Sequence, residues 1–213
     1  MQYAVFSDAH GHVNHIESVL AAADKYGVSD IISLGDIIDV KPPKQLKLPS
    51  RLPPADVADF IPEIASITAR CLRLRGNQEE RFLRMARVDE MTESDAALFR
   101  GPSEFKLNGF RFAHGHQFHW CHSNVELRYP NVMMHTEILF HGHRHRRQFL
   151  RRPKVGSSEG TYEQIEIVMC KPIRIRMHDQ TLVDVGPLFV DGAWILLDIE
   201  DRTVTYFNAE STS

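Results

Sequence analysis

The chain has 213 residues, of which 43% are hydrophobic and 25% are charged, and its formal net charge is −3 at pH 7. This balance predicts one globular domain over residues 1–213, excludes disordered and collagen-like chains, and gives no sign of a nucleic-acid-binding surface. No apolar run reaches the roughly 18 residues of a membrane helix and the first residues do not resemble a signal peptide, so we expect a cytoplasmic protein with no membrane contact.

The first part of the chain predicts a strand, a helix and a second strand. Residues 3–6 and 31–34 are short apolar runs typical of buried strands. The apolar spacing between them predicts a helix that Asn14 caps and Gly27 ends. Such a unit implies two parallel strands joined by a crossover. Residues 41–54 hold five prolines and four basic residues, which indicates a loop.

The rest of the chain adds helices first and then strands. Thr92 and Asp95 predict a capped helix start, and Asn108-Gly109 predicts the turn of a hairpin. Two further helices are predicted at residues 57–67 and 79–87. Further strands are predicted at residues 71–74, 104–107, 110–113, 138–140, 165–169, 173–177, 182–185, 194–199 and 204–207.

Five of the short apolar runs end in Asp, Asn or His beside a glycine. The residues concerned are Asp8, His10, Asp36, Asp39, Asn77, His114, His116, His141, His143 and His145. Because the carboxyl ends of strands line the ligand crevice of an open α/β sheet, we expect these side chains to converge. The chain contains twelve histidines, and imidazole together with carboxylate suits divalent ions such as Zn, Fe or Mn. Two such ions beside two carboxylates leave a positive site, which favours phosphoester hydrolysis.

The ordered motifs resemble those of the calcineurin-like metallophosphoesterases. Asp-x-His, Gly-Asp-x-x-Asp, Gly-Asn, His-Gly-His and Gly-His-x-His follow one another within residues 8–145, and the set is most similar to the small bacterial and archaeal phosphodiesterase branch. The resemblance implies an α/β fold, a four-layer α/β/β/α sandwich of two mixed β-sheets flanked by helices.

The resemblance also implies two divalent metal ions (Mn, Fe, Zn or Ni) as cofactors. The first ion would be held by Asp8, His10, Asp36 and His145. Asp36 would bridge to the second ion, which Asn77, His114 and His143 would complete. A metal-bridging hydroxide would then attack phosphorus in line without a covalent intermediate, and Arg144 would offset the developing charge.

One position departs from the family pattern. Many members have His after Gly-Asn, where it acts as a general acid or oxyanion stabiliser paired with the second Asp of Gly-Asp-x-x-Asp. Here that position is Gln78, so Asp39 lacks its expected partner. Because an amide cannot protonate a leaving alkoxide, we predict a phosphodiester substrate, a good leaving group, or another proton donor such as His12 or His116.

Several alternatives stay open at this stage. The expected partner is a small phosphoester, with a phosphomonoester, a nucleotide, a dinucleoside polyphosphate or a phosphoprotein as other substrates; the oligomeric state is not indicated. A non-catalytic scaffold is less favoured because every ligand position is filled. A nuclease is not favoured because no basic groove is evident. Arg146, Arg147, Arg151 and Arg152 are predicted to form a solvated face, whereas Arg144 is expected to reach a substrate phosphate. The loop at 41–54 is either a substrate-recognition lid or an inert insertion.

Overall fold

The computed structural model describes residues 1–46, 50–122, 128–130, 138–155, 158–159 and 161–209. The described helices are α1 (Val13–Tyr26), α2 (Pro54–Val57), α3 (Ile61–Ile67), α4 (Asn77–Met85), α5 (Glu93–Ala97) and α6 (Leu188–Asp191), with a 3-10 helix at Val88–Glu90. The described strands are β1 (Gln2–Phe6), β2 (Asp30–Ser33), β3 (Leu72–Arg73), β4 (Glu104–Leu107), β5 (Phe110–Ala113), β6 (Trp120–His122), β7 (Arg128–Pro130), β8 (Ile138–His141), β9 (Arg147–Arg152), β10 (Lys154–Val155), β11 (Ser158–Glu159), β12 (Glu163–Ile165), β13 (Pro172–Arg174), β14 (Gln180–Val185), β15 (Trp194–Asp198) and β16 (Thr203–Phe207).

Twelve of these strands form two mixed sheets. The first sheet has the order β13-β16-β15-β1-β2-β3, and the second has the order β12-β9-β14-β8-β5-β4. β1, β2 and β3 run parallel, as do β5, β8 and β14. The crossover through α1 therefore joins the parallel pair that the sequence predicted.

The two sheets pack face to face, and the helices cover the other face of the first sheet. In β1, Ala4 and Phe6 contact the helices, whereas Tyr3 and Val5 belong to the core shared with the second sheet. This alternation follows from the two-residue period of a strand. The predicted α/β sandwich of two mixed sheets with helices is confirmed. On the outer face of the second sheet, the described part of the chain shows a smaller cluster around Phe118 rather than a helix.

Some predicted elements begin or end elsewhere. α1 starts at Val13 with His12 as its N-cap, so Asn14 lies inside the helix and does not cap it. The predicted helix at 57–67 is split into α2 and α3, because Ala58 is extended and Phe60 has a left-handed backbone. The hairpin is as predicted: Leu107 pairs with Phe110 across a two-residue turn.

Part of the arginine-rich run forms strand β9, in which Arg151 departs from the predicted solvated face, whereas Arg146 before the strand is exposed as predicted. Arg151 is buried, at 8% exposure, and its side chain donates to the carbonyl of Arg174. Asp179 lies 3.8 Å away, which provides the opposite charge that a buried guanidinium requires. None of the helices in the described residues is long and apolar enough to cross a bilayer.

Candidate metal centre

The chemistry-bearing residues follow neighbouring strands at one edge of the two sheets. Asp8 follows β1, Asp36 follows β2, His114 follows β5 and His143 follows β8, while Asn77 is the first residue of α4. Because the parallel strands of each sheet end on the same side, their loops meet. The expected convergence is therefore present.

Two groups of side chains have the geometry of metal ligands. In each group the candidate ligand atoms lie within 4.8 Å of one another. The first group is Asp8, His10 and His145, and the second is Asp36, His114 and His143. Asn77 adjoins the second group, with its amide oxygen 3.2 Å from Nε2 of His114. All seven residues assigned to metal binding by sequence thus lie together.

The two groups are in contact through their carboxylates. Nε2 of His114 lies 3.3 Å from Oδ2 of Asp36 and 3.9 Å from Oδ1 of Asp8. Nε2 of His10 lies 3.9 Å from both carboxylates. Nε2 of His145 is 3.3 Å from Oδ1 of Asp8. The imidazoles therefore surround a pair of carboxylates, and the two candidate ligand groups adjoin each other.

The backbone at these positions is strained. Five of the candidate ligands have positive φ: Asp8 (54°), His10 (46°), Asp36 (52°), His143 (68°) and His145 (52°). A side chain in the left-handed region is uncommon, and such residues concentrate at functional sites. The strain aims side chains from several loops at one point.

Burial and mutual charge shift the pKa values of these groups. Burial alone would raise the pKa of Asp8, but His145 and His114 hold it at about 2. Burial alone would lower the pKa of His114, but Asp36 and Asp8 raise it to about 9. Burial, reinforced by His114, lowers the pKa of His143 to about 4. Since metal ligands must be deprotonated, a cation bound here replaces the proton that His114 otherwise holds.

Two glycines allow the loops to approach the carboxylates. A Cβ on Gly142 would lie 1.8 Å from Oγ of Ser7 and 2.5 Å from Oδ2 of Asp8. A Cβ on Gly76 would lie 2.2 Å from Oδ1 of Asp36. Any larger residue at either position would displace a carboxylate of the site. Glycine at positions 142 and 76 therefore allows the two loops to approach Asp8 and Asp36 closely.

Glu79 ties together the loops that carry Asp36 and Asn77. Its fully buried carboxylate accepts hydrogen bonds from the backbone N–H groups of Asp36 (2.8 Å), Ile37 (2.8 Å) and Gly76 (2.7 Å). Burial and the charge of Asp36 raise the pKa of Glu79 to about 7. The sequence analysis missed this residue, although Gly76-x-x-Glu79 has the spacing of a capping box.

The predicted catalytic residues that are not ligands occupy different places. The backbone N–H of Gln78 donates to Oδ1 of Asp36 at 2.8 Å, and its side chain is buried. The exposed carboxylate of Asp39 lies 3.7 Å from Nδ1 of His10. His116 lies beside His114, and its Nε2 is 3.3 Å from Oε1 of Glu80.

Arg144 lies on the His143 side of the site. Its guanidinium is 5.1 Å from the ring centre of Trp120. With Trp120, His143 and Arg146 it lines a pocket of about 270 Å³. This placement puts a positive charge near the second ligand group.

Phe189 is a second contributor that the sequence analysis missed. Its ring centre lies 5.0 Å from that of His10 and 5.1 Å from that of His145. Its backbone N–H donates to the carbonyl of Asp8. Phe189 therefore packs under the first ligand group, and nothing local in Leu-Phe-Val-Asp predicts that, because the contact depends on the fold.

The family model of the calcineurin-like phosphoesterase superfamily domain matches residues 1–162. The chain belongs to the calcineurin-like phosphoesterase superfamily. This membership makes it a phosphoester hydrolase, and members of the superfamily typically bind divalent metals, which the two ligand groups fit. No curated protein matches the chain.

Three solved structures align with nearly the whole chain, and the first of them shares its fold. A metallophosphoesterase from Sphaerobacter thermophilus aligns with a TM-score of 0.65 at 15% identity, covering 98% of this chain and 88% of that one. YfcE, a phosphoesterase from E. coli, aligns with a TM-score of 0.47 at 17% identity, covering 98% of this chain and 100% of that one. An archaeal phosphodiesterase aligns with a TM-score of 0.48 at 13% identity, covering 98% of this chain and 99% of that one.

Proposed function

We propose that this calcineurin-like chain, as one domain, hydrolyses a small phosphodiester at a centre of two divalent metal ions. Asp8, His10, Asp36 and His145 would hold the first ion, and Asp36, Asn77, His114 and His143 the second. The observation that carries the proposal is the contact between the two ligand groups, in which Nε2 of His114 reaches the carboxylates of both Asp8 and Asp36.

The residues present fit such ions. Oδ1 of Asp8 is buried and has no hydrogen-bond partner in the described part of the chain. Three imidazole nitrogens nevertheless lie within 3.9 Å of it. A buried carboxylate oxygen without a donor is costly, and a cation would satisfy it. The oxygen and nitrogen donors suit Mn, Fe, Zn or Ni. When bound, the ions would supply Lewis acidity and an activated water for in-line attack on phosphorus.

The protein's own residues would bind and orient the substrate. Two dications against the carboxylates of Asp8 and Asp36 leave a net positive charge that attracts a phosphoryl group. Arg144, next to His143 in sequence and in the same pocket, would add a positive charge toward the phosphoryl oxygens. Asp39 would orient the ring of His10 through its charge on the Nδ1 side.

The preference for a diester rests on the lack of a general acid beside the site among the residues that the structure describes. Gln78 occupies the position after Asn77, and its amide oxygen is buried without a partner in the described residues. Burial and His114 lower the pKa of His116, so its ring is mostly neutral at pH 7 and supplies a proton poorly. A substrate with a good leaving group needs little protonation.

The test compares bis-p-nitrophenyl phosphate with p-nitrophenyl phosphate. Metal-stripped protein is reconstituted with Mn²⁺, metal content is counted by mass spectrometry, and Asp36→Ala is compared with Asp89→Ala, which removes an exposed carboxylate. We expect two ions per chain, faster diester cleavage, and loss of both in Asp36→Ala only. Faster monoester cleavage would make the chain a phosphomonoesterase. Two bound ions without hydrolysis would make it a scaffold.

Gln78→His tests the assigned role of this position. If the missing acid limits the reaction, the variant should cleave diesters with poor leaving groups about 10²-fold faster or more, with little change for p-nitrophenyl esters. Equal rates for the parent protein and Gln78→His on diesters with poor leaving groups would show that Gln78 does not set the diester preference.

A further inference from the structure

We propose that the groove beside the first ligand group binds the nucleoside of a small nucleotide ester whose phosphate lies at the metal centre, with Phe60 as the stacking residue. This inference rests on the proposed function and adds the substrate class to it. It comes from the shape and chemistry of a groove that starts at the candidate ligand His10 and extends away from the metal centre.

The groove is continuous with the candidate metal centre. It has a volume of about 570 Å³, within the range of small-molecule sites. It begins at His10 and Asp39, crosses the start of α1, and ends at Lys41, Phe60 and Glu63. A phosphoester seated at the ligand groups would therefore extend one of its alcohols into this groove.

Phe60 combines an unusual backbone conformation with an exposed aromatic ring. It has a φ of 56° and is 58% exposed. A bulky side chain in the left-handed region costs conformational free energy, and an exposed ring recovers little of it through packing. The strained backbone of Phe60 is therefore not offset by burial of its ring. An exposed aromatic face at the end of a substrate groove can stack on a flat heteroaromatic ring.

The rest of the groove suits a nucleoside better than an aliphatic alcohol. The rings of His12 and His15 are stacked, with centres 5.5 Å apart and planes at 22°. Lys41 donates to Oδ1 of Asp59 at 2.8 Å, so an ion pair lines the same groove. Flat rings and paired polar groups match the faces and the edges of a nucleobase.

The charges favour a small nucleotide over an oligonucleotide. Asp39, Asp59 and Glu63 line the groove, and the positive charge of Lys41 is offset by Asp59. Three carboxylates disfavour a polyanionic backbone, because nucleic-acid affinity depends on cationic contacts to phosphates. The single phosphate would instead be placed at the metal centre, which is the positive part of the site.

Calorimetric binding to the Mn²⁺-loaded protein tests this assignment. AMP and ribose 5-phosphate share the phosphate and the sugar and differ in the base; a decathymidylate tests the oligonucleotide, and chromatography confirms that the ligands stay intact. We expect AMP to bind at least about tenfold more tightly than ribose 5-phosphate. Phe60→Leu and Phe60→Gly should weaken AMP binding about 5- to 100-fold while leaving ribose 5-phosphate unchanged, and Phe60→Tyr should retain AMP binding.

Phe60→Gly separates binding from folding. Glycine adopts a positive φ without strain, so the melting temperature of the Phe60→Gly variant should equal or exceed that of the parent protein, while its affinity for AMP falls. Leu72→Ala, which trims an exposed apolar side chain outside this groove, should change neither value.

Four results would overturn the inference: equal affinity for AMP and ribose 5-phosphate, undiminished AMP binding by Phe60→Gly, tighter binding of decathymidylate than of AMP, or no binding of either small ligand by protein that holds Mn²⁺. Failure of the protein to bind Mn²⁺ at all, measured first by metal titration, would instead refute the proposed function.

Discussion

Replacing Glu79 with glutamine tests whether this buried carboxylate holds the metal-binding loops in place. Oε2 accepts from the N–H groups of Asp36 and Gly76, and Oε1 accepts from that of Ile37 at 2.8 Å and from that of Ile38 at 3.4 Å. Glutamine keeps the volume but turns one acceptor into an NH₂ donor. In its better orientation, the NH₂ faces the N–H groups of Ile37 and Ile38, so the contact between Oε1 and these two buried donors is lost.

The expected cost follows from that lost contact. A hydrogen bond to a charged group contributes about 1.5–3 kcal/mol, and an unsatisfied buried N–H costs about 1–3 kcal/mol. Removal of a buried charge beside Asp36 returns part of this, so we expect a loss of about 2–4 kcal/mol in the free energy of unfolding. For a chain of this length, that corresponds to a fall of about 5–15 °C in melting temperature.

Urea unfolding and calorimetric Mn²⁺ titration measure the two consequences. Because Glu79 acts on the loop that carries Asp36, Glu79→Gln should weaken Mn²⁺ binding as well as stability. Glu17→Gln, which changes an exposed carboxylate on α1, is the matched control and should alter neither. Unchanged stability and unchanged Mn²⁺ affinity in Glu79→Gln would refute the role of Glu79 in holding these loops together. Lower stability with unchanged Mn²⁺ affinity would show that Glu79 does not position the ligands.

Three further predictions concern the ligands and the core. Asp8→Asn should lower bound Mn²⁺ from two ions to about one, because the second group keeps its own ligands; retention of both ions would contradict the assignment. Gly142→Ala should cost about 1–3 kcal/mol and weaken metal binding, since its Cβ would meet Ser7 and Asp8; native-like unfolding and titration curves would contradict this. Burial raises the pKa of Cys71 to about 11, above its unfolded value, so its contribution to stability should be lost as pH rises from about 9 toward 11, and Cys71→Ala should flatten that loss in urea titrations.

The candidate ligands could be predicted from sequence because each depends on a local pattern. A short apolar run predicts a buried strand, and the polar residue after it must then lie at the strand end. Asp8 and Asp36 follow neighbouring parallel strands, so their meeting is a consequence of the crossover through α1. The hairpin was predictable for the same reason: Asn108 and Gly109 both adopt the positive φ that a two-residue turn requires.

Elements that depend on distant contacts were not predictable in this way. The residues around Arg151 have the arginine-rich composition of an exposed strand. Only the fold brings Asp179 within 3.8 Å of Arg151, which allows it to be buried. Asp59, which lies in the break between α2 and α3, forms an ion pair with Lys41. Because the two residues are far apart in the sequence, this pair could not be predicted from the local pattern. α1 begins at Val13, with His12 at the N-cap position and without a side-chain capping bond. The loop before it is held against the loop after β2, because the N–H groups of His10 and Gly11 donate to the carbonyls of Asp36 and Ile37.

The same difference separates the candidate metal ligands from the proposed nucleoside groove. The candidate ligand atoms come from loops that glycines allow to approach the carboxylates, and local motifs predict these loops. The groove instead combines the start of α1 with Lys41, Asp59 and Phe60, segments that no periodic pattern connects. A single residue shows why this matters: Phe60 reads as one more apolar position of a helix from 57 to 67, yet the helix breaks there and leaves its ring exposed beside the site. The proposed stacking of a base on Phe60 therefore depends on where the helix ends, which follows from tertiary contacts and not from apolar spacing.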